Sequence, residues 1–414
     1  MSKAFPIFLS LLLFYSIFAV SVFAASPQDV TSNNELRVLI QPLNKNDKSK
    51  LKSTYGARWD FESLGFTTTV NENQYQALLK NKNVKVSVVD TLSIAAKPQP
   101  STGATPSDQT PWGIEAIYDN SSIASTDGGV NVRVAVLDTG TFIAHPDLKA
   151  NAEQCKDFSQ SKSPIVNGKC DDKNGHGTHV AGTVLANGGA GNGIYGVAPD
   201  AKLWAYKVLG NSGFGYSDDI AGAIRHAADE GKKNGVKVVI SMSLGSSSKD
   251  SLIADAVTYA VANGALVVAA AGNDGPAPNT IGFPGGLHDV IAVAALENVQ
   301  QNGSYRIADF SSRGNPTSAG DFVIGERDVE LSAPGRAIES TWSDGTYNTI
   351  SGTSMATPHI SGLAAKIWAE NPTMTNHQLR VELQNRAKSN DITAGQYAGT
   401  GDDIASGFGF PLAK

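Results

Sequence analysis

From residue 130 onward, short and nearly unbroken apolar runs alternate with longer stretches of helical period. "VNVRVAVLDTG" has valines at 130, 132, 134 and 136 and stays apolar through Leu137, which reads as a buried strand. "AKLWAYKVLG", "VKVVISMSLG", "GALVVAAAGN" and "DVIAVAAL" repeat the pattern. Between them, "YSDDIAGAIRHAADEGKKNG" and "DSLIADAVTYAVANG" have the spacing of amphipathic helices. Strands alternating with helices predict an α/β fold with a mainly parallel sheet covered on both faces. In such sheets, ligands gather beyond the carboxyl ends of the strands.

The N-terminal quarter reads differently. "ELRVLIQPL" is strand-like, a lysine-rich segment follows, and "LGFTTTVNENQYQALLKNKNVKVSVVDTLSI" predicts strand, helix from about Glu72 to Lys82, and strand. "AAKPQPSTGATPSDQTP" then breaks the pattern with Pro, Ser, Thr and Gly, as an exposed linker does. We place a domain boundary within 97–109, so that a small α/β unit (25–105) precedes the large one (106–414).

Charge supports two pieces. Residues 1–103 carry 11 Lys/Arg and 7 Asp/Glu; the remainder carries 22 and 32, for a total of −6. A basic small unit and an acidic large one have complementary fields, and the absence of a basic run argues against a nucleic-acid partner. At the extreme N-terminus, Lys3 precedes "PIFLSLLLFYSIFAV" and then "SVFAAS", with small residues placed for cleavage after Ala24. This reads as a secretory signal peptide (1–24). An uncleaved anchor is the alternative, since the run approaches spanning length, but no basic stop-transfer flank follows. The expectation is a secreted, extracellular monomer with no stable membrane association.

Cys155 and Cys170 are the only cysteines. Export permits a disulfide, and two cysteines allow a single intrachain pairing worth about 3 kcal/mol for a loop this short. Free thiols and metal ligation are the alternatives.

Several strands end at residues able to do chemistry: one in Asp138-Thr-Gly, another in Gly272-Asn273. "NGHGTHVAG" sets His176 and His179 three apart, opening an apolar helical pattern. Zinc-protease histidines lie four apart with a glutamate between, so this pair does not read as a metal site. In "ISGTSMATPHISGLAAKIWAEN", Ser354 stands at the start of a helix, near backbone N–H donors and the positive end of the helix dipole. A serine hydroxyl becomes a nucleophile when a histidine takes its proton and a carboxylate fixes the histidine's tautomer. Asp138, His176 and Ser354 could fill these roles together. Alone, each reads as a strand-end cap, a buried histidine or a turn residue.

Across residues 108–412 the chain resembles the subtilisin (subtilase) family of serine endopeptidases. The motifs are "VLDTG", "HPDL", "NGHGTHVAG", "GVAPDA", "SMSLG", "AAAGN", "SAPG" and "SGTSMATPH". The cysteine loop and acidic "GDDIASGFGF" end are most like the cold-adapted members. The resemblance implies that Asp138 orients His176, that His176 is the general base, and that Ser354 forms the acyl-enzyme. It also implies an oxyanion hole from Asn273 and the Ser354 N–H, with His179 as scaffolding. Substrate would lie as an added strand between Gly213-Phe214-Gly215 and Ser243-Leu244-Gly245. The pocket beside the scissile bond would be walled by Ala269–Ala271, Ala270 at its centre, and floored by Gly282, favouring large apolar residues. Asp274 would stand at the rim. Residues 35–95 resemble, more loosely, the family's propeptide, which assists folding and inhibits until cleaved.

Structural Ca²⁺ is a further implication. Asp147 in "HPDL" matches a family ligand, with the loop "ANGGAGNG" (Asn187, Asn192) beside it. Asp171 and Asp172 on the cysteine loop, and Asp321, Asp328 and Glu330 in an acid-rich insertion with Glu326, are further candidate ligands, because Ca²⁺ takes six to eight oxygens.

Overall fold

The computed structural model describes residues 35–94, 103–189, 191–301 and 303–414. The signal peptide (1–24) and part of the linker (95–102) lie outside the described residues.

The N-terminal segment is β1 (Glu35–Pro42), α1 (Lys45–Tyr55), β2 (Trp59–Asp60), β3 (Phe66–Asn71), α2 (Glu72–Lys80), β4 (Val84–Val88) and β5 (Thr91–Ser93). Strands β2-β3-β1-β4 form an antiparallel sheet around a small core of Val38, Ile40, Phe66, Val70, Leu78 and Val84. Asn71 and Gln74 exchange hydrogen bonds at the start of α2, a capping box that fixes where the strand becomes a helix. The lysine-rich segment, left unassigned above, is α1; it buries no residue, so no apolar stripe announced it.

The large unit begins with α3 (Trp112–Tyr118), β6 (Val132–Asp138), β7 (Ala152–Asp157), β8 (Val166–Asn167), α4 (His176–Leu185), β9 (Lys202–Lys207), β10 (Phe214–Tyr216), α5 (Ser217–Asn234) and β11 (Lys237–Met242). It continues with α6 (Ser251–Ala262), β12 (Leu266–Ala270), β13 (Ile291–Gln301), β14 (Ser304–Ile307), β15 (Leu331–Pro334), β16 (Ile338–Thr341), β17 (Tyr347–Ile350), α7 (Thr353–Glu370) and α8 (Asn376–Lys388). The central sheet runs β14-β13-β12-β11-β6-β9-β7-β8, with β15 also paired to β13. Its pairs are parallel except β13–β14 and β7–β8 at the two ends of that order.

Strand periodicity divides the core in two. Val132, Val134 and Val136 pack with Val180, Val184, Ile360 and Leu363 of α4 and α7, while Ala135 and Leu137 pack with Ile220, Ile224 and Val257 of α5 and α6. Both strand faces are thus covered, which is why β6 reads as a continuous apolar run. Strand β6 lies between β9 and β11, where the chain order reverses, and Asp138 terminates it. Cys155 and Cys170 are joined, tying β7 to the loop before α4.

The N-terminal segment docks on the α5–α6 face: Leu39, Phe61, Val89 and Leu92 belong to the same apolar cluster as those helices. Arg37 Nη1 reaches Asp218 Oδ1 (3.2 Å) and Asp219 Oδ2 (2.7 Å), and Arg58 Nε and Trp59 Nε1 both donate to Asp219 Oδ1 (2.6 and 2.8 Å). Asp218 and Asp219 sit in the first turn of α5, where the helix dipole also favours negative charge. The complementary charges of the two pieces meet here as buried ion pairs.

Candidate active site

Asp138 is fully buried, and its Oδ1 accepts the N–H of Thr139 at 2.7 Å. His176 opens α4 and brings Nδ1 to 2.8 Å from Asp138 Oδ1 and 3.0 Å from Oδ2. That contact fixes the proton on Nδ1 and leaves Nε2 as the basic nitrogen; Nε2 is buried and has no hydrogen-bond partner. Gly177 permits the approach: a Cβ there would lie 2.1 Å from Gly140 O and 3.0 Å from the Asp138 side chain. Asp172 shapes the loop before α4. Its Oδ1 accepts from Thr139 Oγ1 and the N–H groups of Asn174 and Gly175, and its Oδ2 from the N–H and hydroxyl of Thr178.

Ser354 lies in the first turn of α7, a helix packed against α4 and β6. Its Oγ donates to Ser243 O at 3.3 Å. Pro358 inside α7 has no N–H to give the Ser354 carbonyl four residues back, and Ser243 Oγ fills that place at 2.7 Å. The Ser354 peptide is thereby tied to the edge of the Ser243–Gly245 segment. Asn273, just past β12, is oriented by Thr353: its Oδ1 accepts both the Thr353 N–H (2.9 Å) and its hydroxyl (3.0 Å). An amide whose oxygen is held by two donors presents Nδ2 as the free donor.

His179 plays a different part from His176. It is fully buried, its Nε2 meets Ile338 O at 2.9 Å, and burial lowers its pKa to about 3. It stays neutral and ties α4 to β16.

Between the two segments expected to flank a peptide lies a strand of the chain itself. Strand β5 pairs antiparallel with β10, Ser93 opposite Phe214 and Leu92 opposite Gly215. On its other side, Ser93 N–H donates to Gly245 O (3.1 Å) and Gly245 N–H to Ser93 O (2.9 Å). Ile94 N–H donates to Gly213 O at 3.0 Å. Leu92 is buried in one apolar cluster with Ile253, Phe283 and Leu287. Leu244 and Ala270 are buried beside Ser243, Gly282 N–H bonds Ala271 O at 2.9 Å, and Asp274 is exposed.

The candidate calcium ligands do not come together as expected. Among the described residues, no three His, Cys, Asp or Glu side chains gather to hold a metal. Glu330 is completely buried in an ion pair with Arg380 (2.9, 3.1 and 2.6 Å) and accepts from Gln384, so it is committed to α8. Asp172 spends both oxygens on the loop before α4. Asp171 is exposed; Asp321 accepts from Val323 N–H, and Asp328 from Ser318 Oγ and Gly325 N–H. Asp147 differs. Its Oδ2 accepts from Ile194 N–H and Tyr347 OH, but its Oδ1 is buried without a partner. Gly189 and Gly193 close over that oxygen: a Cβ would lie 2.4 and 2.0 Å from it. Gln109, which the sequence reading missed, bonds the carbonyls of Gly191 and Gly193 through its amide. Only its place just before "TPWGI" could have drawn attention to it.

A model of the Subtilase family matches residues 129–409, and the chain belongs to that family. It is thus a serine endopeptidase, a hydrolase of subtilisin type. It is 56% identical over 386 residues to a subtilisin of Bacillus sp. (strain TA39), covering 92% of each chain. It is 39% identical over 279 residues to subtilisin DY of Bacillus licheniformis, covering 67% of this chain and 91% of that one. Among solved structures it is similar to sphericase (63% identity) and to the S41 psychrophilic protease (61%). Both have a TM-score of 0.74 and cover 74% of this chain and 99% of theirs.

Proposed function

We propose that the protein is a secreted, broad-specificity serine endopeptidase, made as a precursor that cuts itself and is held inactive by its own N-terminal segment. Residues 1–24 direct export, 25–105 form the inhibitory and folding segment, and 106–414 form the peptidase. Among the described residues, no helix is long and apolar enough to cross a membrane.

In this reading Ser354 Oγ attacks the peptide carbonyl while His176 Nε2 accepts its proton. Asp138 holds Nδ1–H and stabilises the imidazolium. Asn273 Nδ2 and the Ser354 N–H donate to the oxyanion. His176 returns the proton to the leaving amine, and water then releases the acyl group through the same steps. Substrate binds as the middle strand between Gly213–Gly215 and Ser243–Gly245. Small residues at Ala269–Ala271 and Gly282 leave room for Phe, Tyr or Leu before the scissile bond.

The observation that supports the reading is the two-way bonding of Ser93 with Gly245, the pairing an added peptide strand would make two residues along from the Ser243 that bonds Ser354. Replacing Ser354 with Ala tests it. The variant should stay a single uncut chain and leave a long peptide blocked at both ends intact, whereas the wild type cuts both. Processing by the variant, or failure of the wild type to cut a blocked peptide, would refute an endopeptidase built on Ser354.

Calcium fits at Asp147. The unpartnered buried oxygen, loop carbonyls of 187–189 and 191–193, Asn187 and the Gln109 amide, once turned to present its oxygen, make a set of hard oxygen donors. Bound there, the ion would neutralise Asp147 and fasten residue 109 to the loop, supplying stability and no step of the reaction.

A further inference from the structure

We infer that the first cut the protein makes in itself falls between Ala95 and Ala96. This deepens the reading above, resting on it for the nucleophile, and uses only the register of residues 91–94.

Ser93 is the fixed point. Both its N–H and its carbonyl bond Gly245, at 3.1 and 2.9 Å, which defines a hydrogen-bonded antiparallel pair. On the opposite side, Ile94 N–H meets Gly213 O, and Leu92 stands opposite Gly215. In an antiparallel pair, each step forward along one strand is a step back along the other. Position 94 therefore corresponds to Leu244, and the same register continued by one residue would reach Ser243. Ser243 is the residue that meets the nucleophile: its carbonyl accepts Ser354 Oγ, and its hydroxyl donates to the Ser354 carbonyl. A peptide laid in this register presents the carbonyl carbon of residue 95 to Ser354 Oγ.

Burial fixes the register. Leu92 is 2% exposed in its apolar cluster, and a one-residue slip would turn it out and bring Thr91 or Ser93 in. The far end of the linker cannot supply the cut in this register, because it already belongs to the body. Gly103 pairs with Tyr347, and Ser107 N–H bonds Glu339 at 2.9 Å. In the proposed step, Ser354 Oγ bonds the carbonyl carbon of Ala95 and the bond to the Ala96 nitrogen breaks. His176 carries the Ser354 proton to that nitrogen, and water hydrolyses the ester to leave an Ala95 carboxylate. Residues 96–105 stay attached to the peptidase after this first cut, and the form that begins at 106 arises by later trimming. Alanine suffices at position 95 because positions 91–94 already hold the strand in place.

Full-length chain, stopped early in processing with a serine-directed inhibitor, tests this by the mass and C-terminal peptide of the smaller fragment. That fragment should end at Ala95. A first fragment ending within 97–109 would overturn the inference, as would an uncut chain that still hydrolyses a blocked peptide. An uncut chain with no such hydrolysis overturns the functional reading instead. Ala96→Pro, which removes the leaving N–H, should slow the first cut at least about tenfold. Thr102→Pro should leave it unchanged, and an equal effect of both would count against the assignment.

Discussion

Thr353→Val probes how Asn273 is aimed. The substitution keeps the β-branched shape and removes the hydroxyl that donates to Asn273 Oδ1 at 3.0 Å and accepts from Gly272 N–H at 3.1 Å. The Thr353 N–H still holds Oδ1 at 2.9 Å, so the amide loses one of its two donors. A neutral hydrogen bond is worth about 0.5–1.5 kcal/mol, which converts to about a 2- to 12-fold change in rate. The ceiling is loss of the asparagine altogether, which at the oxyanion hole of another subtilisin costs about 10²–10³ in kcat. We expect kcat on a blocked chromogenic peptide to fall about tenfold with KM within about twofold, since the donor acts on charge that develops only in the transition state. Active sites should be titrated first, because the orphaned Gly272 N–H also costs about 1–3 kcal/mol of stability. In an Asn273→Ala background the same substitution should cost no further kcat. An unchanged kcat in the single variant, or an equal loss in the Asn273→Ala background, would refute the argument that Thr353 acts through Asn273.

Three further outcomes follow from the same structure. Arg37→Ala leaves Asp218 and part of Asp219 without their buried partner; with Arg58 still bound, docking of the cleaved N-terminal segment should weaken by about 2–3 kcal/mol, some 30- to 150-fold. The lag between first cut and full activity should shorten, and an unchanged lag would contradict the role given to this cluster. Asp147→Asn should lower the melting temperature measured in calcium and abolish most of its sensitivity to EDTA; a wild type indifferent to excess EDTA would argue against structural calcium. Burial lowers His179 to about pKa 3 and His359 to about 4, so both stay neutral in the folded chain while the unfolded chain takes up protons near pH 6.5. Their contribution is therefore present above pH 6.5 and lost as pH falls, about 1.4 kcal/mol per pH unit for each group down to its folded value. Denaturant unfolding of the Ser354→Ala chain with and without His359→Gln, at pH 7 and 5, should show a slope smaller by about one proton in the His359→Gln chain.

Much of the architecture was legible in the sequence because it rests on local pattern. The buried strands β6, β9, β11, β12 and β13 appear as apolar runs since helices cover both their faces. Asp138, His176, Asn273 and Ser354 stand where strands end or helices begin. Helix α1 was not legible, since a helix with no buried residue leaves no periodic stripe. The acid-rich insertion misled for a different reason. Composition cannot distinguish a carboxylate awaiting a cation from one already paired, and Glu330 finds Arg380 fifty residues away. Nor could local pattern reveal that Leu92 and Ser93 pair with Gly215 and Gly245, residues more than 120 positions distant. The buried Arg37–Asp218–Asp219 cluster is equally non-local, foreshadowed only by the opposite charges of the two pieces.

The most direct test of the account is covalent. Wild-type enzyme treated with an organophosphorus fluoride should lose its peptidase activity in step with uptake of one adduct, and peptide mass spectrometry should place that adduct on Ser354, with none on the Ser354→Ala chain. Full inactivation with the adduct on another residue, or an active enzyme that takes up no adduct, would contradict the claim that Ser354 is the nucleophile served by His176 and Asp138.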